Sequence, residues 1–305
     1  MTRSLRMKAS IRFYLKKRRY GKGYIKISGV RIPAFFHRTK KNSNTKFRAL
    51  LETRHPNILA CYTVQRGKYK SICAYEDFLY SLEDVCGEAS RFWDYYKTNI
   101  IGFSSFCQNL FSVLIEVVIS LNAKNKSHQS LGVLHNIVFC ENDVPKVRNL
   151  WTLSTGGYIG LKKDLLGVAL ILDQIVAKTT NGYSNLPAEV RSFKNLLQNY
   201  QPPINATSLK LHPVLFTSQE RKFYMYEIVE HLKLAEQKWK DFETHVQRSP
   251  ASAALETWIS RAYSVNIFKT SLNRRINGRY VYFDSCRSLV LFVRNIFAHI
   301  NHNLG

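Results

Sequence analysis

The hydrophobic period of this 305-residue chain turns from mainly strand-like to helical near residue 90. Before that point apolar and polar residues alternate. Tyr24-Ile25-Lys26-Ile27-Ser28-Gly29-Val30-Arg31-Ile32 has the period of two of a half-buried strand, interrupted by a glycine turn. A short basic loop at 38–44 precedes a helical patch at 46–52, and His55-Pro56 ends that patch. Strand-like text resumes through Ala74. After residue 90 the period is helical, notably over 103–122 and 163–178. The chain therefore reads as α+β, a small strand-rich unit followed by a larger helical one.

A Pro-rich stretch, Gln201-Pro202-Pro203-Ile204-Asn205, marks a second boundary. Beyond it Thr217-Ser218-Gln219-Glu220 opens a helix, because a hydroxyl can cap the first turn with an acid close behind. That helix is expected to reach about Lys240. Residues 273–279 read as a polar turn, and Asp284 and Ser285 open a last helix over roughly 286–301. The expected organisation is a basic, mobile tail at 1–20, a first domain at 21–205 and a second at 206–305. The first domain divides into a strand-rich lobe at about 21–80 and a helical lobe at about 81–205.

Charge is uneven. Residues 1–50 hold 16 of the 45 Lys and Arg and no acid; Glu52 is the first. Two-thirds of the formal net charge of +24 therefore lies in the first sixth of the chain, which argues for an anionic partner. A hydrophobic content of 45% and an aromatic content of 13% exclude a disordered basic tail as the whole protein. The most apolar runs, 111–121 and 165–176, are interrupted by Glu116 and Asp173 and read as buried helices, so no membrane span is expected. Six Cys lie without a CxxC pair, and nine His are dispersed. That spacing predicts no structural metal and fits a reducing, cytoplasmic setting, with nuclear entry open to the basic run at 16–19.

Strands first and helices second is also the layout of a protein kinase, and several segments resemble that family. His55-Pro56-Asn57-Ile58 resembles the turn after helix C. Glu76, with Ser81-Leu82-Glu83-Asp84 after it, resembles the hinge and the start of helix D. His128 and Leu131 resemble the catalytic loop, Asn136-Ile137-Val138 the segment after it, and Asp164 and Gly167 helix F. Further on, His212-Pro213-Val214-Leu215-Phe216, Arg221-Lys222-Phe223 and Glu227-Ile228-Val229 resemble the HPFFW…RLxFLxDVS opening of the kinase-extension nuclease domain. The run from Ser285 to His299 resembles its SVRDLLRxxRNKxxH helix. The resemblance is to the ribonuclease L and unfolded-protein-response kinase/endoribonuclease family, over roughly residues 20–302. It implies a bilobal protein-kinase-like fold followed by an all-α nuclease domain, with dimerisation through the kinase lobes.

Phosphoryl transfer needs a few charged parts in place, and they are missing. Pro33 stands in the lysine's position, Phe47 in that of the helix-C glutamate, and Gln129 and Ser130 in those of the Arg and catalytic Asp. Asn149 is the remnant of the metal-binding Asp. The expectation is a pseudokinase whose degenerate nucleotide cleft lies near Pro33, Glu76, Ser130 and Asn149. ATP or ADP stays compatible with such a cleft, since adenine needs only apolar walls and backbone groups.

The last helix carries the candidate chemistry. At 100° per residue, Arg294, Asn295 and His299 share one face, and Asn295 and His299 are an i,i+4 pair. Arg287 and His302 lie near the same arc and are candidate RNA contacts. This set suits cleavage in which the ribose 2′-hydroxyl attacks its own phosphate. His299 can exchange protons near neutrality, Arg294 can stabilise the phosphorane, and Asn295 can position either. The resemblance implies the same roles and adds a tyrosine some 13 residues before the Arg. That position falls between Tyr280 and Tyr282, and Tyr282 is preferred. No cofactor is required. Two departures from the family pattern stand out: Ile296 replaces its lysine, and the chain stops at Gly305, so a shortened nuclease domain is expected. Two functions follow: a metal-independent endoribonuclease acting as a dimer, or an inactive module that binds RNA or pairs with a full-length relative, as a homodimer or heterodimer.

Overall fold

The computed structural model describes residues 10–12, 20–27, 29–40, 53–66, 70–148, 154–201, 206–248, 258–263, 272–273, 275–276, 279–282 and 285–300. The run at 16–19, the patch at 46–52 with Phe47, Asn149, the 202–205 linker and His302 lie outside them. The fold is mixed α+β, built on small antiparallel sheets, and it divides into two compact units, 1–215 and 216–305.

In the first unit, strands β1 (Ser10–Arg12), β2 (Tyr20–Ile27), β3 (Val30–Lys40), β4 (Cys61–Arg66) and β5 (Lys70–Glu76) form one antiparallel sheet in the order β1-β2-β3-β5-β4. Gly29, at φ +90°, makes the β2–β3 turn, a conformation costly for any other residue. Alternation buries Ile25, Ala34, Phe36 and Ala74 on one face. Two sequence expectations change here. Part of the expected mobile tail is an edge strand, because Ser10, Ile11 and Arg12 pair with Lys26, Ile25 and Tyr24. The start of the expected basic loop is strand: Arg38, Thr39 and Lys40 pair with Ile72, Ser71 and Lys70.

The sheet leads through β6 (Tyr80–Ser81), helices α1 (Leu82–Val85) and α2 (Ala89–Phe92) and the hairpin β7 (Trp93–Tyr96) and β8 (Asn99–Phe103) to α3 (Ser105–Ala123). Ser104 caps α3 by accepting from the Cys107 N–H. Then come β9 (Lys126–Ser127), β10 (Ile137–Phe139), β11 (Pro145–Val147), β12 (Ser154–Thr155), α4 (Gly157–Thr179) and α5 (Ala188–Gln198). Strands β11, β10 and β6 form a three-stranded sheet. Helix α3 is long and apolar enough to cross a membrane, and it is a core helix: Leu110, Phe111, Leu114, Ile115, Val117 and Val118 are fully buried. Residues 206–215, expected in the second domain, join the first unit's core through Leu209, Val214 and Leu215.

The second unit holds α6 (Ser218–Lys233), α7 (Glu236–Gln247), α8 (Trp258–Tyr263), a short hairpin of β13 (Arg275–Ile276) and β14 (Arg279–Tyr280), and α9 (Cys286–Ile300). Thr217 and Glu220 form the expected capping box at α6. The helix expected to reach Lys240 stops at Lys233. Val229 and Trp239, ten residues apart, would lie about 15 Å apart along one helix; the break lets Trp239 join Val229, Leu232 and Val290 in a cluster. The hairpin replaces the expected polar turn, so the unit is not all-α.

Candidate functional site

The last helix begins where expected. Ser285 Oγ accepts from the Ser288 N–H at 3.1 Å, and the Leu289 N–H donates to the Ser285 carbonyl at 3.0 Å. Two apolar clusters hold α9. On one side Val290, Leu291 and Cys286 pack with Val229, Leu232 and Trp239. On the other, Phe292, Leu289, Val293 and Ile296 pack with Trp258, Leu272 and Tyr282. Leu291 packs in both clusters.

Three predicted residues come together. Asn295 Nδ2 donates to the Tyr282 hydroxyl at 2.9 Å, and Arg294 Nη1 donates to Asn295 Oδ1 at 2.9 Å. Tyr282 is 6% exposed, its ring edge-on to Phe292 with centroids 5.1 Å apart. The polar chain thus runs from an anchored phenol to a partly buried guanidinium.

Two residues the sequence pattern missed complete the surroundings. The Arg294 guanidinium lies 4.9 Å from the centre of the Tyr226 ring, and its Nη2 is 3.8 Å from Glu230 Oε1. Tyr226 and Glu230 stand i,i+4 on α6, so that spacing was the available signal. Lys233, bonded to Glu230 at 2.8 Å, lowers the Glu230 carboxyl below its usual range, with smaller help from the charge of Arg294. Arg294 Nε is buried with no hydrogen-bond partner among the described residues.

Arg287 lies elsewhere. It pairs with Glu236 at 2.8 Å and covers the Trp239 ring at 5.0 Å, fastening α7 to α9. His299 lies in the last turn of α9, one turn beyond Asn295; its side chain, like all of His302, is outside the described residues. Of the cleft residues, Pro33 and Glu76 line an opening of about 410 Å³ in the first unit. Ser130 sits apart from that lining, in the loop after β9, where its carbonyl accepts from Asn136 Nδ2 at 2.7 Å. No group of three or more His, Cys, Asp or Glu among the described residues is placed to hold a metal.

The loop around His128 is held from α4. Asp164, 1% exposed, accepts from the His128 N–H at 2.8 Å and the Gln129 N–H at 2.7 Å. His128 Nε2 meets the Arg148 carbonyl at 2.8 Å, and burial lowers the pKa of its ring. Gly132 and Gly167 let loop and helix touch: a Cβ on Gly167 would lie 2.9 Å from the Gly132 nitrogen. The His55-Pro56-Asn57-Ile58 turn binds β11, with the Val147 N–H donating to the Asn57 carbonyl and the Leu59 N–H to the Val147 carbonyl, both at 2.9 Å. No protein-family model matches the chain, and no curated protein matches it.

Proposed function

We propose that this protein is a metal-independent endoribonuclease carried on a kinase-like, catalytically silent platform that dimerises. The observation that carries the reading is the chain Tyr282–Asn295–Arg294 on the helix that resembles the nuclease signature. In this reading an RNA phosphate approaches Arg294, whose guanidinium neutralises charge developing on the phosphorane. Asn295, oriented by the Tyr282 hydroxyl, fixes the guanidinium. His299 moves the proton between the 2′-hydroxyl, the phosphate and the leaving 5′-oxygen. Products end in a cyclic phosphate.

Support for the platform comes from the first unit. An antiparallel sheet precedes the helical part, and the loop that resembles a catalytic loop is held by Asp164 of the helix that resembles helix F. Ser130 and Pro33 leave no catalytic carboxylate or lysine at the resembling positions. The excess of basic residues in 1–50 adds unspecific attraction for RNA.

A second reading, a non-catalytic RNA-binding or dimerisation module, is favoured by one observation: Arg294 is engaged by Tyr226 and Glu230. One experiment separates the two. The purified chain is incubated with a structured RNA hairpin in EDTA, beside His299→Ala. Cyclic-phosphate products that disappear in the variant are the expected result. Retained binding with no cleavage by either protein selects the second reading.

A further inference from the structure

The segment from Glu76 to Leu79 joins the sheet of the first unit to its helical part. A purine entering beside it would need exposed backbone donors and acceptors and two apolar faces. Four of the backbone groups here are in use. The Glu76 N–H donates to the Ala60 carbonyl at 2.9 Å, and the Leu79 N–H to the Phe139 carbonyl at 2.8 Å. The Phe78 N–H donates to Asp77 Oδ1 at 2.9 Å, and the Phe78 carbonyl accepts from Lys22 Nζ at 2.5 Å. Lys22 also pairs with Asp77 at 3.2 Å, tying β2 to this segment.

The apolar faces are in use as well. The rings of Phe35, on β3, and Phe78 are in contact, centroids 4.7 Å apart. A base slotted between two rings needs about 7 Å, two contacts of about 3.5 Å each. The guanidinium of Arg148 closes the triangle, 5.5 Å from the Phe35 centre and 5.3 Å from the Phe78 centre. Arg148 is fixed in turn: its Nε donates to the His135 carbonyl, its N–H to the Asn136 carbonyl at 2.8 Å, and its carbonyl meets His128 Nε2 at 2.8 Å. The opening left beside this cluster contains Glu76, whose carboxylate oxygens hold Lys146 Nζ at 2.6 and 2.8 Å.

We propose that Phe35, Phe78 and Arg148 fill the place of a purine base beside the Glu76–Leu79 segment, so that the chain's own side chains exclude the base and the unit works without nucleotide. The inference rests on the kinase-like reading of the first unit and not on the nuclease reading. The probes are adenosine and ADP, titrated calorimetrically against the full chain with and without magnesium. Wild type should show no saturable binding at millimolar ligand. Phe35→Ala, which opens the triangle from β3, should gain adenosine binding at least about tenfold over wild type, a change of one decade in Kd. Phe78→Ala opens it from the other side and serves if Phe35→Ala does not fold. Saturable binding of either probe by wild type would overturn the proposal, and so would folded opened variants that bind adenosine no better than wild type.

Discussion

Asn295 reaches back across 13 residues to the hydroxyl of Tyr282, and the 2.9 Å bond between them ties the middle of α9 to the loop that precedes it. Tyr282→Phe keeps the ring against Phe292 and removes the acceptor. Stability should fall by about 1 kcal/mol, since the partly buried Asn295 amide loses a partner. On the nuclease reading, cleavage falls more than RNA affinity. Urea denaturation beside single-turnover cleavage checks both; unchanged cleavage with lowered stability would assign the bond to folding alone.

Asp164 serves two backbone N–H groups from a buried position. In Asp164→Asn one of them faces an NH2 group instead of an oxygen, and the charge assisting both bonds is gone. A loss of about 3 kcal/mol is expected. Chemical denaturation gives the value, and a loss below about 0.5 kcal/mol would contradict the role.

Gly167→Ala puts a methyl 2.9 Å from the Gly132 nitrogen, a backbone atom that can move only if the whole loop moves. Overpacking of this kind costs about 1–3 kcal/mol. Because Gly132 and Gly167 share one contact, Gly132→Ala and Gly167→Ala should combine non-additively in a double-mutant cycle.

His128 predicts a pH dependence. Burial lowers its pKa from 6.5, so the folded chain resists a proton that the unfolded chain accepts below about 6.5. Stability should be level above that value and decline as the pH falls through it, before the carboxylates titrate. His55, lowered mainly by burial, adds in the same direction. At lower pH the N–H and hydroxyl of Ser81 hold Asp84 below its usual range, so that contribution is lost only in stronger acid. Melting temperatures from pH 8 to 5 test the first part; His128→Gln should flatten the slope.

Arg287 fastens α7 to α9 through Glu236 and Trp239. Arg287→Ala should destabilise the second unit by about 1 kcal/mol, combining a half-exposed ion pair with lost contact to the ring. RNA affinity should fall less than in Arg294→Ala. Filter binding at two salt concentrations, with a melt of each variant, checks the order.

Local text carried much of this arrangement. Alternation about Gly29 gave the first hairpin, and Thr217 with Glu220 gave the start of α6. Features set by distant partners were not legible. Arg38 to Lys40 are strand because β5, thirty residues on, pairs with them. Helix α6 ends at Lys233, with no Gly or Pro to mark it, because Trp239 packs back on Val229. At the candidate site, Arg294 and Asn295 were visible on one helical face, and Tyr282 was reached only through the family pattern. Tyr226 and Glu230 were missed because α6 meets α9 in three dimensions, a pairing that periodicity does not encode.

Helix α9 belongs to two apolar clusters among the described residues of the second unit, with Leu291 in each. Neither cluster can open without releasing the same helix. Amide protons near Leu291 and Phe292 should therefore exchange with solvent only when the whole unit melts, with one common free energy of opening. A destabilising change in either cluster would hasten them all together, so harm done at Trp239 would be felt by Asn295 as readily as harm done at Trp258.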